Sequence, residues 1–140
     1  MQVRVLYVSR AVGPQTTTVT ATILAAAQAF NRANGISGVL CQGQGLYLQV
    51  LEGERSTVNA LYARIIADTR HKNAEMLHLE EITHRRYASW AMTLVTLSEH
   101  DAMVQMKHPE FDPYSASGPI AMSLVDELLA TGQRIDLPAV

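Results

Sequence analysis

The sequence has little cysteine, little net charge and no long apolar run, and each shortage excludes a class of protein. Its 140 residues include one cysteine, Cys41, so no internal disulfide can form and a reducing compartment is indicated. The net charge of −2 does not favour a nucleic-acid-binding surface or an anchor for acidic membranes. No apolar stretch is long enough for a transmembrane helix, and a strand pattern starts directly at the N-terminus, without a signal peptide. We therefore expect a soluble cytoplasmic protein without a nucleic-acid or membrane partner.

Histidine is present, but not in a metal-binding pattern. The spacings of His71, His78 and His84 match no common zinc site. Cys41 lies within an apolar strand pattern and is interpreted as a small core residue. We predict no metal site.

Strand and helix patterns alternate along the first two thirds of the chain. Threonines at 16–18 can cap a helix that Asn34-Gly35 would end. The patterns predict strands at about 2–8, 36–41, 46–51, 75–83 and 89–96, and helices at about 16–34 and 58–68. The order strand, helix, strand, strand, helix, strand, with a fifth strand added, is typical of a ferredoxin-like α+β fold. In that fold both helices lie on one face of the sheet.

The second face of this sheet should also be covered, because the strand at 46–51 is apolar on both sides. An amphipathic pattern at 120–129 predicts a C-terminal helix, and a weaker helix is expected at 98–107. We therefore divide the chain into a domain over 1–97 and a helical extension over 98–140 that covers the second face. Alternatively, the tail packs on another subunit. An exposed apolar stripe on the last helix would favour a homo-oligomer.

One polar residue, Gln49, interrupts the apolar strand at 46–51. Side chains alternate along a strand, so Tyr47, Gln49 and Leu51 share one face. A buried amide without partners costs about 1–3 kcal/mol, so another side chain, the backbone, water or a ligand should meet Gln49. Tyr7 comes within reach if its strand is the neighbour.

Further polar or aromatic residues lie in apolar settings, and each has an ordinary explanation. Asn31 could simply close the first helix. Arg64 and Asp68, one helical turn apart, could form a surface ion pair. Trp90 and Met92 could be packing residues alone. Taken separately, none of them is specific.

Together these residues resemble the BLUF family, the blue-light sensors that use flavin. The stretches that carry the resemblance appear in family order and reach to about residue 97. They are Leu6-Tyr7-Val8-Ser9, Asn31-Arg-Ala-Asn-Gly-Ile-Ser-Gly38, Tyr47-Leu-Gln49-Val-Leu-Glu-Gly53, Asp68-Thr-Arg-His71 and Arg86-Tyr-Ala-Ser-Trp90-Ala-Met92.

The resemblance implies a flavin between the two N-terminal helices, with its ring edge at the sheet. Ile23 and Ile65 match the positions that pack on either side of the ring, and Asn31 matches the amide at its N3/O4 edge. FAD is the expected form and FMN the alternative, because these contacts address the ring and not the tail. The remaining residues that the resemblance places near the cofactor are Arg64, Asp68, Arg70 and His71.

Tyr7 and Gln49 correspond to the photoactive pair of the family. The resemblance implies that the excited flavin takes an electron and a proton from the tyrosine through the glutamine. The glutamine is then left rotated or tautomerised, which strengthens its bond to flavin O4 and shifts absorption to the red. Trp90 and Met92 would relay the change to the C-terminal helices and on to a separate downstream protein. Such a chain is a photoreceptor and not an enzyme.

Phe30 departs from the family pattern, which often has a polar residue there, so we expect weaker cofactor retention. Two other classes stay open: a flavin-free ferredoxin-like interaction module and an acylphosphatase-like small hydrolase. Acyl-phosphate hydrolysis needs an anion cradle, an arginine and a positioned water. The segment at 9–13 is a thin candidate for that cradle.

Overall fold

The computed structural model describes residues 1–96 and 112–139, without the side chain of Thr17. A short 3-10 turn, Pro113–Ser115, precedes the last helix. The strands and helices, in chain order, are β1 (Gln2–Ala11), α1 (Thr17–Asn34), β2 (Ser37–Gly43), β3 (Leu46–Glu54), α2 (Arg55–Ile66), β4 (His71–Ile82), β5 (Trp90–Thr96), α3 (Gly118–Thr131) and β6 (Gln133–Pro138).

The strands form one sheet in the order β4-β1-β3-β2-β5-β6. β1 pairs antiparallel with β3 and β4, and β2 pairs antiparallel with β3 and parallel with β5. This topology confirms the predicted ferredoxin-like α+β fold. The predicted boundary at 97/98 and the weak helix over 98–107 lie outside the described residues.

Local signals explain where the first helix and the central hairpin begin and end. The Thr16 hydroxyl accepts a hydrogen bond from Val19 N (3.3 Å) and caps α1, and Gly35 ends it at a φ of 65°. Gln44 and Gly45, with φ of 54° and 77°, form the two-residue loop between β2 and β3. Positive φ at both positions is typical of a type I′ hairpin turn.

The sheet has an apolar core on each face, as the sequence predicted. α1 and α2 cover the face that carries Tyr7 and Leu51, and α3 covers the face that carries Leu6 and Val50. The apolar stripe of α3 is buried against this sheet and is not exposed, so it gives no support to self-association. Ile120, which is 50% exposed, lies outside that buried stripe. In the described part of the chain, no helix combines the length and apolarity needed to span a bilayer.

Strand β6 was not predicted, since the C-terminal extension was expected to be helical throughout. It pairs antiparallel with β5 and extends the sheet by one strand. Its sequence alternates Ile135 and Leu137 with charged residues, but Ile135 stays exposed, so the alternation buries no continuous apolar face. Contacts from distant residues hold it instead: Arg32 Nε donates to Pro138 O (2.9 Å), and Ala139 N donates to Ser89 O (3.1 Å).

Candidate functional site

A cleft of about 220 Å³ opens between α1, α2 and the sheet face that they cover. A water molecule takes up about 30 Å³ in the liquid, so the cleft has room for a larger molecule. All nine residues that the sequence predicted at a cofactor line it, together with Met92. They are Tyr7, Ile23, Asn31, Gln49, Arg64, Ile65, Asp68, Arg70 and His71.

Tyr7 and Gln49 are directly opposite in the β1–β3 register, so their side chains leave the sheet on the same face. The Tyr7 hydroxyl donates a hydrogen bond to Gln49 Oε1. On its other side, Gln49 Nε2 points to the Met92 sulfur at 3.8 Å. Burial raises the pKa of the Tyr7 phenol well above its usual range, which keeps it protonated and able to donate.

The walls of the cleft are apolar and come from the two helices. Ile23 lies on α1 and Ile65 on α2, and both also pack against the core on that face of the sheet. Ala26 and Ala27 add little bulk to the α1 wall. Facing helices with branched and small side chains leave a slot suited to a flat ring.

Polar groups gather at the inner edge of this slot. The buried Asn31 amide donates from Nδ2 to Ala91 O (2.7 Å), which joins the end of α1 to β5. His71 has Ser9 Oγ at 2.7 Å from Nδ1, and its Nε2 contacts Ile65 O. Asparagine, glutamine and histidine side chains can complement the carbonyl and N–H groups of a heterocycle.

The charged residues at the mouth divide into a neutralised pair and a separate cation. Asp68 pairs with Arg70 at 2.6 Å, and this hydrogen bond lowers the pKa of the Asp68 carboxyl. Arg64 lies instead with its guanidinium 4.7 Å from the centre of the Phe30 ring. Because Arg64 is on α2 and Phe30 on α1, this cation–π contact joins the two walls.

Trp90 and Met92 lie on opposite faces of the sheet, although residues two apart on a regular strand share a face. Met92 lines the cleft beside Gln49, whereas Trp90 packs against the core under α3. The β5–β6 register shifts between them, with Trp90 opposite Pro138 and Met92 opposite Leu137. A β-bulge of this kind re-aims side chains, so the bulge at Ala91 explains why only Met92 faces the cleft.

The cleft also includes residues that the sequence did not single out as cofactor contacts. Tyr47 and Leu51 share the Gln49 face by strand alternation, and Leu61 lies one turn before Ile65 on α2. Those periodicities could have identified them. Within the described ranges, no three His, Cys, Asp or Glu side chains lie close enough together to hold a metal ion.

A ferredoxin-like sheet with an apolar slot and a rim of amides, phenol and imidazole defines a binding domain for a planar heterocycle. A family model confirms this class: BLUF, described as sensors of blue-light using FAD, matches residues 2–93. The chain belongs to the BLUF family. Flavin is therefore the ligand of its family, and the residues of the cleft fit the ring of such a ligand.

Relatives of known sequence or structure agree with this assignment. The photoactivated adenylate cyclase subunit beta of Euglena gracilis is 34% identical over 91 residues, which are 64% of this chain and 11% of that protein. The photo-activated state of BlsA matches with a TM-score of 0.82 at 29% identity, over 92% of this chain and 95% of that chain. The dark state of BlrB, a BLUF protein, matches with a TM-score of 0.76 at 28% identity, with the same coverage of both chains. This chain spans only a small part of the cyclase relative and most of BlsA and BlrB.

Proposed function

We propose that this protein is a blue-light photoreceptor that holds a flavin, with FAD the expected form, in the cleft between α1 and α2. Ile23 and Ile65 would enclose the ring, and Asn31 and Gln49 would meet its polar edge. The observation that carries the proposal is the buried contact series from Tyr7 through Gln49 to Met92 at the inner end of the cleft. A core needs no such series, because carbon side chains would fill the space at lower cost.

The bound flavin supplies absorption of blue light and an excited state that accepts an electron. Tyr7 would be the electron donor, and its hydroxyl proton would leave along the existing hydrogen bond to Gln49 Oε1. Loss of the proton together with the electron avoids leaving a charged phenol in a buried site. The return of both restores Tyr7, so the protein is not consumed.

Gln49 can remain in a second arrangement after the electron returns, because its amide carries a donor and an acceptor at one tip. Rotation or tautomerisation exchanges the two and reverses the local hydrogen-bond pattern without moving net charge. The contact that holds Nε2, the Met92 sulfur at 3.8 Å, is a weak acceptor. Rotation would replace the bond from the Tyr7 hydroxyl to Oε1 by one from Nε2 to the Tyr7 oxygen and would give up only the contact with sulfur. The two arrangements would therefore be close in energy, as a two-state element requires.

β5 would pass the change out of the cleft. Met92 touches Gln49, and the carbonyl of Ala91 accepts the Asn31 hydrogen bond, so two cleft residues contact one short stretch of β5. The photoreceptor would then act on a separate downstream protein through surfaces formed by its C-terminal elements. It would do so by changing contacts and not by catalysing a reaction.

Absorption spectroscopy of the purified protein tests this function. We expect a flavin spectrum with a small, reversible red shift under blue light, and chromatography of the released cofactor will identify FAD or FMN. Gln49→Leu should keep the flavin but lose the normal shift. Gln42→Leu is the matched control, because Gln42 is also a buried strand glutamine but bonds Thr20 (2.9 Å) outside the cleft. A full red shift in Gln49→Leu would contradict the mechanism. A colourless protein that binds no added flavin would contradict the photoreceptor function and favour the flavin-free interaction module.

A further inference from the structure

The loop between β4 and β5 is held by one fully buried carboxylate, Glu52 on β3. Glu52 Oε2 accepts hydrogen bonds from Arg4 Nε (2.8 Å) and from the backbone N–H of Arg86 (2.9 Å). Its Oε1 accepts from the backbone N–H of Tyr87 (2.7 Å). A buried carboxylate with a guanidinium and two amides is a well-satisfied anchor. The backbone of residues 86–87 is therefore fixed to the centre of the sheet.

The side chains of the same two residues reach a different element, helix α3. The Tyr87 hydroxyl donates to Asp126 Oδ1 (2.9 Å), and Arg86 Nη1 donates to Asp126 Oδ2 (3.1 Å). Each carboxylate oxygen of Asp126 thus takes one donor from the loop. Burial first, and then the Asp126 carboxylate, raise the pKa of the Tyr87 phenol, so this donor keeps its proton.

The ring of Tyr87 contacts the residue that precedes the β5 bulge. It stacks on Trp90 with a centroid distance of 6.2 Å and an interplanar angle of 19°. Trp90 is the neighbour of Ala91, whose carbonyl accepts the hydrogen bond from Asn31 in the cleft. A continuous series of contacts therefore leads from Asn31 through β5 and the Trp90–Tyr87 stack to Asp126.

We propose that Tyr87 is a positioning residue that couples β5 to helix α3 through its hydroxyl bond to Asp126. The inference rests on the proposed photoreceptor function and names the contact through which the change at β5 reaches α3. Packing alone would be served by phenylalanine, because Tyr87 belongs to an apolar cluster. The hydroxyl adds a directional contact that is lost when the stacked rings shift by about 1 Å, since hydrogen bonds weaken steeply with distance and angle.

Tyr87→Phe in the full chain tests this coupling, because it keeps the ring and removes only the hydroxyl. We expect an unchanged dark spectrum and red shift. Amide hydrogen exchange of peptides that cover α3 should be about fivefold faster in the dark, as for a lost hydrogen bond worth about 1 kcal/mol. The light-minus-dark difference in α3 exchange, present in the unsubstituted protein, should disappear.

Tyr114→Phe is the matched control. Tyr114 packs against the same apolar cluster and donates its hydroxyl to Asn73 O (2.9 Å), but it has no part in the Trp90 stack. This variant should keep the light-minus-dark difference in α3.

Asp126→Ala removes the same contact from the helix side, because alanine offers no acceptor to the Tyr87 hydroxyl, and the half-exposed position leaves the core intact. It should also abolish the light response of α3 while keeping the red shift. A Tyr87→Phe or Asp126→Ala protein that retains the full light-minus-dark difference in α3 would overturn the inference. So would an unsubstituted protein that shows the red shift without any exchange difference in α3. Loss of the red shift in the unsubstituted protein would instead contradict the proposed function.

Discussion

Gln49 is a buried amide with two protein partners of unequal strength. Its carbonyl oxygen accepts from the Tyr7 phenol, and its amino group has the Met92 sulfur. Rotation of this amide breaks both contacts, but the phenol oxygen can accept from Nε2 in place of donating to Oε1, so only the weak contact with sulfur is given up. The residue types at these three positions therefore suit a switch better than they suit a rigid core.

Arg64 and Phe30 at the mouth of the cleft lead to a prediction about cofactor retention. The guanidinium lies over the ring and joins α2 to α1, so losing this contact should loosen the mouth. An exposed cation–π contact is worth about 0.5–1 kcal/mol. Arg64→Met should therefore speed flavin dissociation about two- to fivefold, measured from the rise of free-flavin fluorescence after dilution.

A double-mutant cycle separates this contact from any direct contact of Arg64 with the flavin. Phe30→Leu and Arg64→Met should together speed flavin dissociation by less than the product of their single effects. Arg55→Met is the control, because Arg55 is an arginine of α2 that contacts Met1 away from the cleft. If the two single effects on the flavin dissociation rate multiply in the double variant, the Phe30–Arg64 contact does not contribute to flavin retention.

At the scale of elements, β6 is held to β5 by a side-chain bond as well as by the strand ladder. Thr93 Oγ1 donates to Asp136 Oδ1 (3.1 Å), and Thr93 is fully buried. Asp136→Ala should leave that hydroxyl unpaired and lower the free energy of unfolding by about 1–3 kcal/mol. Equilibrium urea unfolding measures the change.

The matched variant in this case is Thr93→Val, which removes the hydroxyl and keeps the shape. Combined with Asp136→Ala, it should recover much of the lost stability, because no buried polar group is then left without a partner. A double variant as unstable as the sum of the two singles would argue against this account of β6.

How much of this architecture could be predicted depends on whether an element's signals are local. Helix α1 could be predicted because Thr16 and Gly35 mark its ends in the sequence itself. Strand β6 was missed because its alternation is limited to Ile135 and Leu137, and its place in the sheet depends on pairing with β5. The opposite orientations of Trp90 and Met92 follow from the bulge in that same pairing, so they too were beyond sequence reasoning.

The residues of the cleft could be predicted from the sequence, whereas the buried Arg4–Glu52 pair could not, because only the former have a local sequence signal. Six of the nine cofactor positions lie in motifs whose resemblance to the family is recognisable along the chain. Ile23, Arg64 and Ile65 lie between those motifs and were placed by the same resemblance. Arg4 and Glu52 become partners only through the β1–β3 register, in which they are opposite each other. A buried ion pair of this kind has no signal in either strand alone.

At the scale of the whole molecule, a single sheet separates two different environments. One face carries the cleft and its polar groups, and the other carries the apolar cluster under α3. Cys41 belongs to the second face and is buried there. Because burial keeps the Cys41 thiol neutral, the stability of the molecule should depend on alkaline pH.

Burial raises the pKa of the Cys41 thiol from 9.0 to about 12. The unfolded chain then releases this proton above about pH 9 while the folded chain retains it, so the free energy of unfolding falls as pH rises through this window, by up to about 1.4 kcal/mol per pH unit. Cys41→Ala should make that fall shallower above about pH 9. The tyrosines titrate in the same way in both proteins, so the difference between the two slopes reports the thiol. Urea unfolding under reducing conditions and at fixed flavin concentration measures how the free energy of unfolding of each protein changes with pH. Between pH 6 and 8, the internal control, the two curves should be parallel. Equal slopes above pH 9 would show that the thiol is not protected by the core in the way its burial indicates.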